Sequence, residues 1–273
     1  MLSNRMHQKT MTSTKYNKLI IQVSLQDFTF CVKNQLSNVI SHFKTLPINS
    51  LASIENQLEI IFSQHELLQV NYDDVLILHD NNMNTFIPDE YFDERTLGSY
   101  LQYNTKVFAT DFFTYDELEI QKMKNVYVPN VAFNNFFIDQ FGEFVYKHVN
   151  TNLVEFVLEE TKSIEDFTVH IHVGNNHFEL IVSQKGKLHF FNSFEFQTPE
   201  DFIYYILFVF EQLKLNTEKT PIHLFGNIII NDANYQIIYN YIRNVHVIDL
   251  ETKATAMQTE ASHLQKNFIL LHS

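Results

Sequence analysis

The sequence predicts an α/β protein of two lobes, each with the element order β-β-β-α-β-α. The first observation is the length, because 273 residues leave room for two domains of about 110 to 160 residues. The second is that the chain opens with three apolar segments too closely spaced for a helix between them, after which helical and strand patterns alternate. The third is that this order starts again at Glu165.

The N-terminal half opens on a hairpin pattern, in which two apolar segments are joined by Gln26 and Asp27. Pro47 stops the third strand, and Ser50 is a suitable cap for the helix after it. Pro88 and the acidic residues that follow it predict the start of a second helix. The elements predicted for this half are strands at 19–25, 28–32, 39–46, 74–79 and 143–149, and helices at 51–68, 89–101, 131–141 and 152–160.

Residues 106–128 do not fit the repeated order. Two aromatic, β-prone pieces at 107–113 and 126–128 surround a stretch at 115–124 that is more typical of a helix or a turn. Because the flanking patterns belong to the first lobe, we predict that 106–128 form a small insertion within it.

The second half repeats the order of the first. Gly174 and Asn175 predict a tight turn between its first two strands, and Thr198 followed by Pro199 predicts a capped helix start. That helix is apolar on nearly all sides, which is typical of a buried central helix. The predicted elements are strands at 167–173, 178–183, 188–194, 222–225 and 245–248, and helices at 199–213 and 232–243.

These elements divide the chain into three parts. Residues 1–17 are polar and predict a flexible N-terminal segment, 18–164 form the first lobe, and 165–273 form the second lobe with its tail. Two copies of this unit are typical of a duplicated ribonuclease-H-like fold, as in the actin and sugar-kinase superfamily. A flavodoxin-like sheet would need a helix after each early strand, and the first three strands leave no room for one.

Composition excludes several classes of function. The net charge of −13 argues against a nucleic-acid partner, because such binding depends on Lys and Arg replacing counterions. The chain has 5 glycines, no two within ten residues of each other, which excludes the P-loop and the dinucleotide fingerprint. The single cysteine, Cys31, excludes an internal disulfide and a Cys-based zinc site.

The sequence predicts neither a membrane span nor a secretory signal. Its most apolar run, 202–210, is far shorter than the roughly 20 residues that a spanning helix needs. The N-terminal segment lacks the apolar region of a signal peptide. We therefore expect a cytoplasmic protein.

Four segments resemble a known family: IQVSL at 21–25, FNSFEFQTPEDFIYY at 191–205, PIHLFGN at 221–227 and YIRNV at 241–245. Together they are similar to the domain-of-unknown-function 3822 family, found in Bacteroidetes bacteria, over roughly residues 18–249. The resemblance implies an actin-like, ATPase-related fold. It implies no activity, because the family has none assigned.

The wider actin-like superfamily holds nucleotide between its lobes with two phosphate loops and an adenosine-side glycine pair. The first loop corresponds here to residues 24–29, which contain no glycine, and Phe28 would crowd a phosphate. The second keeps one glycine but offers only His172 at the position of the superfamily's acid. If a nucleotide binds, the resemblance implies contacts from four residues: Gly174, Asn175, Gly226 and Asn227.

We therefore expect an actin-like protein with a degenerate nucleotide site, no cofactor and no catalytic residue, which binds or scaffolds a protein partner. The alternative is a divergent nucleotide-binding ATPase that uses ATP with Mg. A ribonuclease-H-type nuclease is a weaker third hypothesis. It needs several carboxylates at strand ends to hold two metal ions, and the strand at 19–25 contains none.

The histidines raise the possibility of a metal site. His170 and His172 share one strand face and His177 lies across the turn, so with Asp166 or Glu179 they could ligate zinc. Histidines at strand spacing are more often surface or core residues, and no ligand motif surrounds these. We therefore predict no metal.

The aromatic content has two interpretations. The chain has 26 Phe and 13 Tyr but no Trp, and exposed rings would mark a protein interface. A Phe-rich core is the simpler interpretation. The rings that exceed the needs of one helix face are Phe133, Phe136, Phe137, Phe141 and Phe144, and a second group crowds the last helix: Tyr235, Tyr239 and Tyr241.

Overall fold

Two five-stranded sheets and one three-stranded sheet form the framework of the protein. The computed structural model describes residues 16–108, 110–248 and 261–273, with only the helical backbone for 261–263. The N-terminal segment predicted at 1–17 lies outside the described residues except for its last two positions. Residues 249–260 of the predicted tail also lie outside the described residues.

The elements of the first half follow the predicted order, apart from three strands that belong to the insertion. They are β1 (Asn17–Val23), β2 (Asp27–Asn34), β3 (Ile40–Pro47), α1 (Ile54–Gln64), β4 (Asp74–His79), β5 (Asn84–Pro88), α2 (Leu97–Leu101), β6 (Thr114–Leu118), β7 (Met123–Tyr127), α3 (Val131–Phe141), β8 (Val145–His148) and α4 (Val149–Glu160).

The elements of the second half agree closely with their predicted bounds, apart from two short helices in the tail that the sequence does not predict. They are β9 (Thr168–Val173), β10 (His177–Gln184), β11 (Lys187–Glu195), α5 (Pro199–Gln212), β12 (Ile222–Gly226), α6 (Ala233–Tyr241), β13 (Val245–Val247), α7 (Ala261–Lys266) and α8 (Phe268–Leu271).

The two lobes have the same sheet topology. The first sheet has the order β3-β2-β1-β4-β8 and the second has the order β11-β10-β9-β12-β13. In each, the first three strands are antiparallel, and the last two run parallel to the first strand. The predicted duplicated α/β architecture is therefore confirmed.

The third sheet, with the order β5-β7-β6, is the insertion in the first lobe. It begins at β5, earlier in the chain than the predicted start at 106. The helical or turn-like interpretation of 115–124 is wrong, because most of that stretch lies in β6 and β7. Lys124 Nζ lies 3.0 Å from Glu117 Oε1 across this strand pair.

The helix predicted at 89–101 is also wrong over most of its length. Only α2 is α-helical, and two short 3₁₀ turns precede it at Asp89–Tyr91 and Glu94–Thr96. Phe92 is extended between the turns, and its ring packs on Tyr100 and Tyr115. The Tyr100 hydroxyl accepts the N–H of Asp93 at 2.7 Å, so a tertiary contact replaces the helical hydrogen bond.

The lobes share a hydrophobic core. Helices α4, α7 and α8 lie between the two large sheets, and their buried side chains pack on both. One cluster contains Ile20 of β1, Leu153 of α4, Ile181 of β10, Phe225 of β12 and Leu270 of α8. Because side chains of both sheets belong to this one buried cluster, the shared core holds the lobes together.

The outer faces of the sheets are covered by α1 and α3 in the first lobe and by α5 and α6 in the second. Phe133, Phe136 and Phe137 of α3 are buried there, which confirms the core interpretation for these rings. The expectation that α5 is a buried central helix is wrong. Tyr204 is 63% exposed and Phe208 is 46% exposed, since the sheet covers only one side of α5.

The described residues contain no helix that is both long and apolar enough to cross a membrane.

Candidate functional site

The first hairpins of the two lobes match residue for residue. In the β1–β2 pair, Gln22 lies opposite Thr29. In the β9–β10 pair, His172 lies opposite Glu179. Since the two sheets have the same topology, Gln22 corresponds to His172 and Thr29 corresponds to Glu179.

The turns of these hairpins are closed in the same way. The N–H of Ser24 donates to the carbonyl of Asp27 at 2.9 Å, and the N–H of Gly174 donates to the carbonyl of His177 at 2.8 Å. Ser24 therefore corresponds to Gly174, and Asp27 corresponds to His177. The two turns are related positions in a duplicated fold.

The residues that follow β4 and β12 complete the correspondence. The N–H of Asp80 donates to the carbonyl of Val23 at 2.9 Å, and the N–H of Asn227 donates to the carbonyl of Val173 at 2.6 Å. Asp80 and Asn227 thus occupy equivalent places at the carboxyl ends of equivalent strands.

A cleft of about 510 Å³ lies between the two turns. Its lining is polar and includes amide, carboxylate and imidazole groups from both lobes. Residues that line it include Gln22, Ser24, Asp27, Thr29, Asp80, His172, Gly174, Asn175, Asn176, His177, Glu195, Asn227 and Lys266.

Phe28 does not obstruct this cleft. The expectation that its ring would crowd a phosphate is wrong, because Phe28 is fully buried in the core of the first lobe and its ring centroid lies 6.2 Å from that of Phe62. Successive residues of a strand point to opposite faces. Thr29, the next residue, therefore points toward the cleft and hydrogen-bonds Thr45 at 3.0 Å.

Glu179 is the centre of a buried cluster beside the cleft. Its side chain is 3% exposed, and its carboxylate accepts hydrogen bonds from two imidazoles. Nδ1 of His172 lies 2.8 Å from Oε2, and Nε2 of His177 lies 3.3 Å from Oε1. Ser193 Oγ lies 3.4 Å from the same Oε1. The second-lobe hairpin thus holds a His-Glu-His arrangement.

The cluster is charged at neutral pH. Burial alone would raise the pKa of Glu179, but His177 and His172 hold it below its usual range. Burial alone would lower the pKa of His177, but Glu179 raises it to about 9. The other ring nitrogen of His177 lies 3.3 Å from Asn176 Oδ1, so both of its N–H groups have acceptors.

Asp80 faces this cluster from the first lobe. Its Oδ2 accepts a hydrogen bond of 2.9 Å from Nε2 of Gln22. Burial raises the pKa of Asp80, whereas His177 opposes that effect across the cleft. Asp80 of the first lobe and His177 of the second therefore interact electrostatically across the cleft.

Two glycines that the sequence associates with a nucleotide are needed to form the cluster. A Cβ on Gly174 would lie 2.9 Å from Cε1 of His177 and 3.0 Å from its carbonyl oxygen. Gly226 has a φ of +90°, and a Cβ there would overlap the carbonyl oxygen of Val173 and lie 3.0 Å from Cδ2 of His172. Both positions require glycine for close packing within the protein itself.

Of the four predicted nucleotide contacts, three line the cleft. They are Gly174, Asn175 and Asn227, and Asn227 Nδ2 lies 3.5 Å from Asn175 Oδ1. The fourth, Gly226, packs against the backbone of Val173. Whether these residues contact a nucleotide stays a prediction.

In the first turn, a side chain of the turn itself accepts two of the backbone N–H groups. Ser24 Oγ accepts the N–H of Gln26 at 3.1 Å and the N–H of Asp27 at 2.9 Å. Phosphate-binding turns work by directing such amides at the ligand. In this turn, two of them are directed at a serine hydroxyl.

The sequence grouped the histidines differently from the structure. His170 is not part of the cluster: it stacks on His223 with ring centroids 4.8 Å apart, and burial lowers its pKa to about 3. No group of three or more His, Cys, Asp or Glu side chains in the part of the chain that the structure describes is arranged to hold a metal ion. The hairpin register could have revealed the cluster, since a two-residue turn places His172 opposite Glu179.

The sequence profile of the family described as "Protein of unknown function (DUF3822)" matches residues 6–245. The chain belongs to the DUF3822 family. The resemblance in the four segments is therefore confirmed. No curated protein matches this DUF3822 sequence.

Solved structures confirm the fold of this DUF3822 chain. It is similar to a Bacteroides thetaiotaomicron VPI-5482 protein with an actin-like ATPase fold and unknown function, with a TM-score of 0.81 and 22% identity over 92% of this chain and 99% of that chain. It is also similar to a chain of the PilM–PilN type IV pilus biogenesis complex, with a TM-score of 0.53 and 10% identity over 93% and 97% of the two chains. The actin-like fold is thereby shown.

Proposed function

We propose that this DUF3822 protein is a non-hydrolysing binding or scaffolding module that uses no cofactor. The observation that carries the proposal is the internal use of both cleft turns. Ser24 captures two backbone donors of the first turn, and His177 and Glu179 fill the second with a buried ion pair. The first turn thereby uses two amides that a phosphate loop would direct at its ligand, and in the second turn an imidazole and a carboxylate pair with each other beside the cleft.

The equivalent strand positions support this proposal. The resemblance places the superfamily's acid of the second loop at His172, and Gln22 is the residue of the first lobe that is equivalent to His172. Gln22 donates to Asp80, and His172 donates to Glu179. A neutral amide and an imidazole with its own carboxylate partner do not fit the metal side of a nucleotide site.

The charge of the cleft lining also disfavours a nucleotide. The acidic residues Asp27, Asp80 and Glu195 line the cleft, against two cationic groups, from His177 and Lys266, and burial raises the pKa of Asp80. The buried Glu179 adds a further negative charge. A triphosphate would therefore meet a net negative site, so the residues present do not fit ATP with Mg.

A partner protein is the occupant that a scaffold needs. The shared core holds the lobes in one arrangement, which suits a rigid binding surface. The related chain of the PilM–PilN complex assembles with another protein on a similar fold. We propose the same kind of role, with a protein partner and without nucleic acid, in the cytoplasm.

One observation favours the alternative of a divergent nucleotide-binding ATPase. The cleft is open, and no aromatic ring fills its volume of about 510 Å³. Gly174, Asn175 and Asn227 would then face the ligand from the second lobe, with Gly226 supporting them. The ribonuclease-H-type nuclease has no such support, since Glu179 is committed to two histidines.

A thermal melt with a phosphate-release assay tests the proposal. A ligand at 100 times its dissociation constant stabilises a native protein by about 2.7 kcal/mol. We expect millimolar Mg-ATP to leave the midpoint unchanged and to release no phosphate above the buffer blank. A clear shift with slow release would establish the ATPase alternative instead.

A further inference from the structure

The outer helical faces of the two lobes differ in what they present to solvent. The outward residues of α1 in the first lobe are mainly polar, including Glu55, Glu59 and Ser63, with a single large apolar side chain at Ile60. The corresponding helix of the second lobe, α5, presents Tyr204 and Phe208. Because the lobes share one topology, the fold itself does not require aromatic residues on this face.

The exposed rings of α5 form a stripe. Tyr204 and Phe208 are one helical turn apart, and their rings stack with centroids 6.5 Å apart. Helix α6 packs beside α5 on the same face of the sheet. It adds Tyr239, which is 59% exposed and stacks on Tyr235 at 5.9 Å. Aromatic residues of this kind are enriched at protein interfaces.

Acidic residues flank the stripe. Glu200 lies one turn before Tyr204, and Glu211 lies one turn after Phe208. Both are exposed, and neither belongs to an ion pair among the residues that the structure describes. Eleven helical residues at 1.5 Å each separate the two carboxylates by about 16 Å along the helix. Lys214, just after α5, is the nearest cation in sequence.

We propose that the outer face of α5 and α6 docks a basic amphipathic helix of a partner protein. This inference rests on the proposed function as a binding module. The apolar side of the partner helix covers Tyr204, Phe208 and Tyr239. Two Lys or Arg side chains about three helical turns apart pair with Glu200 and Glu211.

A second copy of this chain fits the same face less well. Antiparallel docking of two α5 helices about a twofold axis would place Glu200 of one copy beside Glu211 of the other. These like charges repel in a partly desolvated interface. Charge complementarity therefore selects a basic partner.

Two synthetic peptides test the inference. The first is an 18-residue amphipathic helix of Leu and Lys, and the second has Glu in place of every Lys. We expect isothermal titration of the full chain to show micromolar binding of the Lys peptide and no binding of the Glu peptide. Binding of both or of neither would overturn the inference.

Three variants localise the binding. The double variant Tyr204→Ser with Phe208→Ser should lower the affinity of the chain for the Lys peptide at least tenfold. Ile60→Ser, on the equivalent helix of the first lobe, should leave that affinity unchanged. The double variant Glu200→Lys with Glu211→Lys should reverse the preference, so that the chain binds the Glu peptide more tightly than the Lys peptide. Thermal melts check that each variant is folded. The inference would be overturned if the Tyr204→Ser, Phe208→Ser variant bound the Lys peptide as tightly as the unchanged chain does. It would also be overturned if the Glu200→Lys, Glu211→Lys variant still preferred the Lys peptide.

Light scattering and a nucleotide titration, made beside the peptide titration, separate this inference from the proposed function. Light scattering that showed dimers of the wild-type chain, but not of the Ser variant, would assign the face to a second copy and overturn the inference. Nucleotide binding together with peptide binding would contradict the proposed function, which uses no cofactor, and would leave the docking surface standing. No binding of either ligand would contradict the docking surface alone.

Discussion

His172 and Glu179 face each other across the β9–β10 hairpin, with Nδ1 of the histidine 2.8 Å from Oε2 of the carboxylate. Their counterparts in the first lobe are Gln22 and Thr29. The duplicated hairpins have thus kept one backbone and acquired different side chains. The second hairpin carries a buried ionic cluster, whereas the first joins Gln22 to Asp80.

Loss of the central carboxylate should destabilise the second lobe. Glu179→Gln removes the negative charge and replaces one of the two acceptor oxygens by an NH2 group, so one of the imidazoles His172 and His177 loses its acceptor. We therefore expect the free energy of unfolding to fall by about 3 kcal/mol. Urea denaturation measures the difference. Glu195→Gln is the matched control, because Glu195 lines the same cleft but is exposed, and it should change stability by less than about 0.5 kcal/mol. Equal effects would show that the cluster contributes no more than a surface group.

The cluster predicts a specific pH dependence. Folding raises the pKa of His177 from 6.5 to about 9. The stabilisation from its protonated form is therefore complete below about pH 6.5 and is lost as the pH rises through about 9. NMR titration of the imidazole should show a midpoint near 9. In His177→Gln, the decline in stability between these pH values should be smaller, and a titration midpoint near the ordinary value would refute the ion pair.

Gly226 and Gly142 provide a matched test of close packing. Both have positive φ, +90° and +74°, but a Cβ on Gly226 would overlap the Val173 backbone, whereas one on Gly142 meets nothing within 4 Å. Gly142→Ala should cost about 1–2 kcal/mol from backbone strain alone. Gly226→Ala should cost clearly more in the same denaturation experiment. Similar losses would mean that the close approach at Gly226 has no energetic weight.

The aromatic core of the first lobe predicts a large loss from one truncation. Phe137 is fully buried, and its ring contacts those of Phe28, Phe62 and Phe133. Phe137→Ala should lower the free energy of unfolding by about 3–5 kcal/mol. Its neighbour Ile138 is 54% exposed, so Ile138→Ala should cost less than about 0.5 kcal/mol. A small loss at Phe137 would contradict a close-packed core there.

Much of the fold could be predicted because the sequence marks element ends with local signals. Thr198, Pro199 and Asp201 form the predicted capped start of α5, including a reciprocal capping box. Gly174 and Asn175 mark the turn that aligns β9 with β10. Such signals act within a few residues, so they can be read without knowledge of tertiary contacts.

The insertion could not be predicted in this way because long-range polar contacts determine it. Asp116 is buried within β6, a position where a strand pattern calls for an apolar residue. It accepts hydrogen bonds from the Tyr127 hydroxyl at 3.0 Å and from the His148 N–H at 2.8 Å. Burial nevertheless raises the pKa of Asp116. Tyr127 lies on the neighbouring strand β7, but His148 lies 32 residues further along the chain, beyond the reach of local signals.

The candidate site was only partly predictable for a related reason. The sequence marks Gly174 and His172 as positions of a degenerate phosphate loop, and it weighs but rejects a zinc site that would include His172 and His177. Their actual contacts depend on the hairpin register, which brings Glu179 between the two histidines. Composition also could not show which side of α5 is covered, so the exposed Tyr204 was missed.

Calorimetric titration of the purified protein with Mg-ATP and then Mg-ADP at low salt tests the central claim most directly. In the first cleft turn Ser24 accepts two backbone N–H groups, and in the second His177 pairs with Glu179. We therefore predict no binding heat above dilution at ligand concentrations up to about 1 mM, where a millimolar dissociation constant corresponds to about −4.1 kcal/mol. Saturable micromolar binding of either nucleotide would contradict the account and establish the cleft as a working nucleotide site.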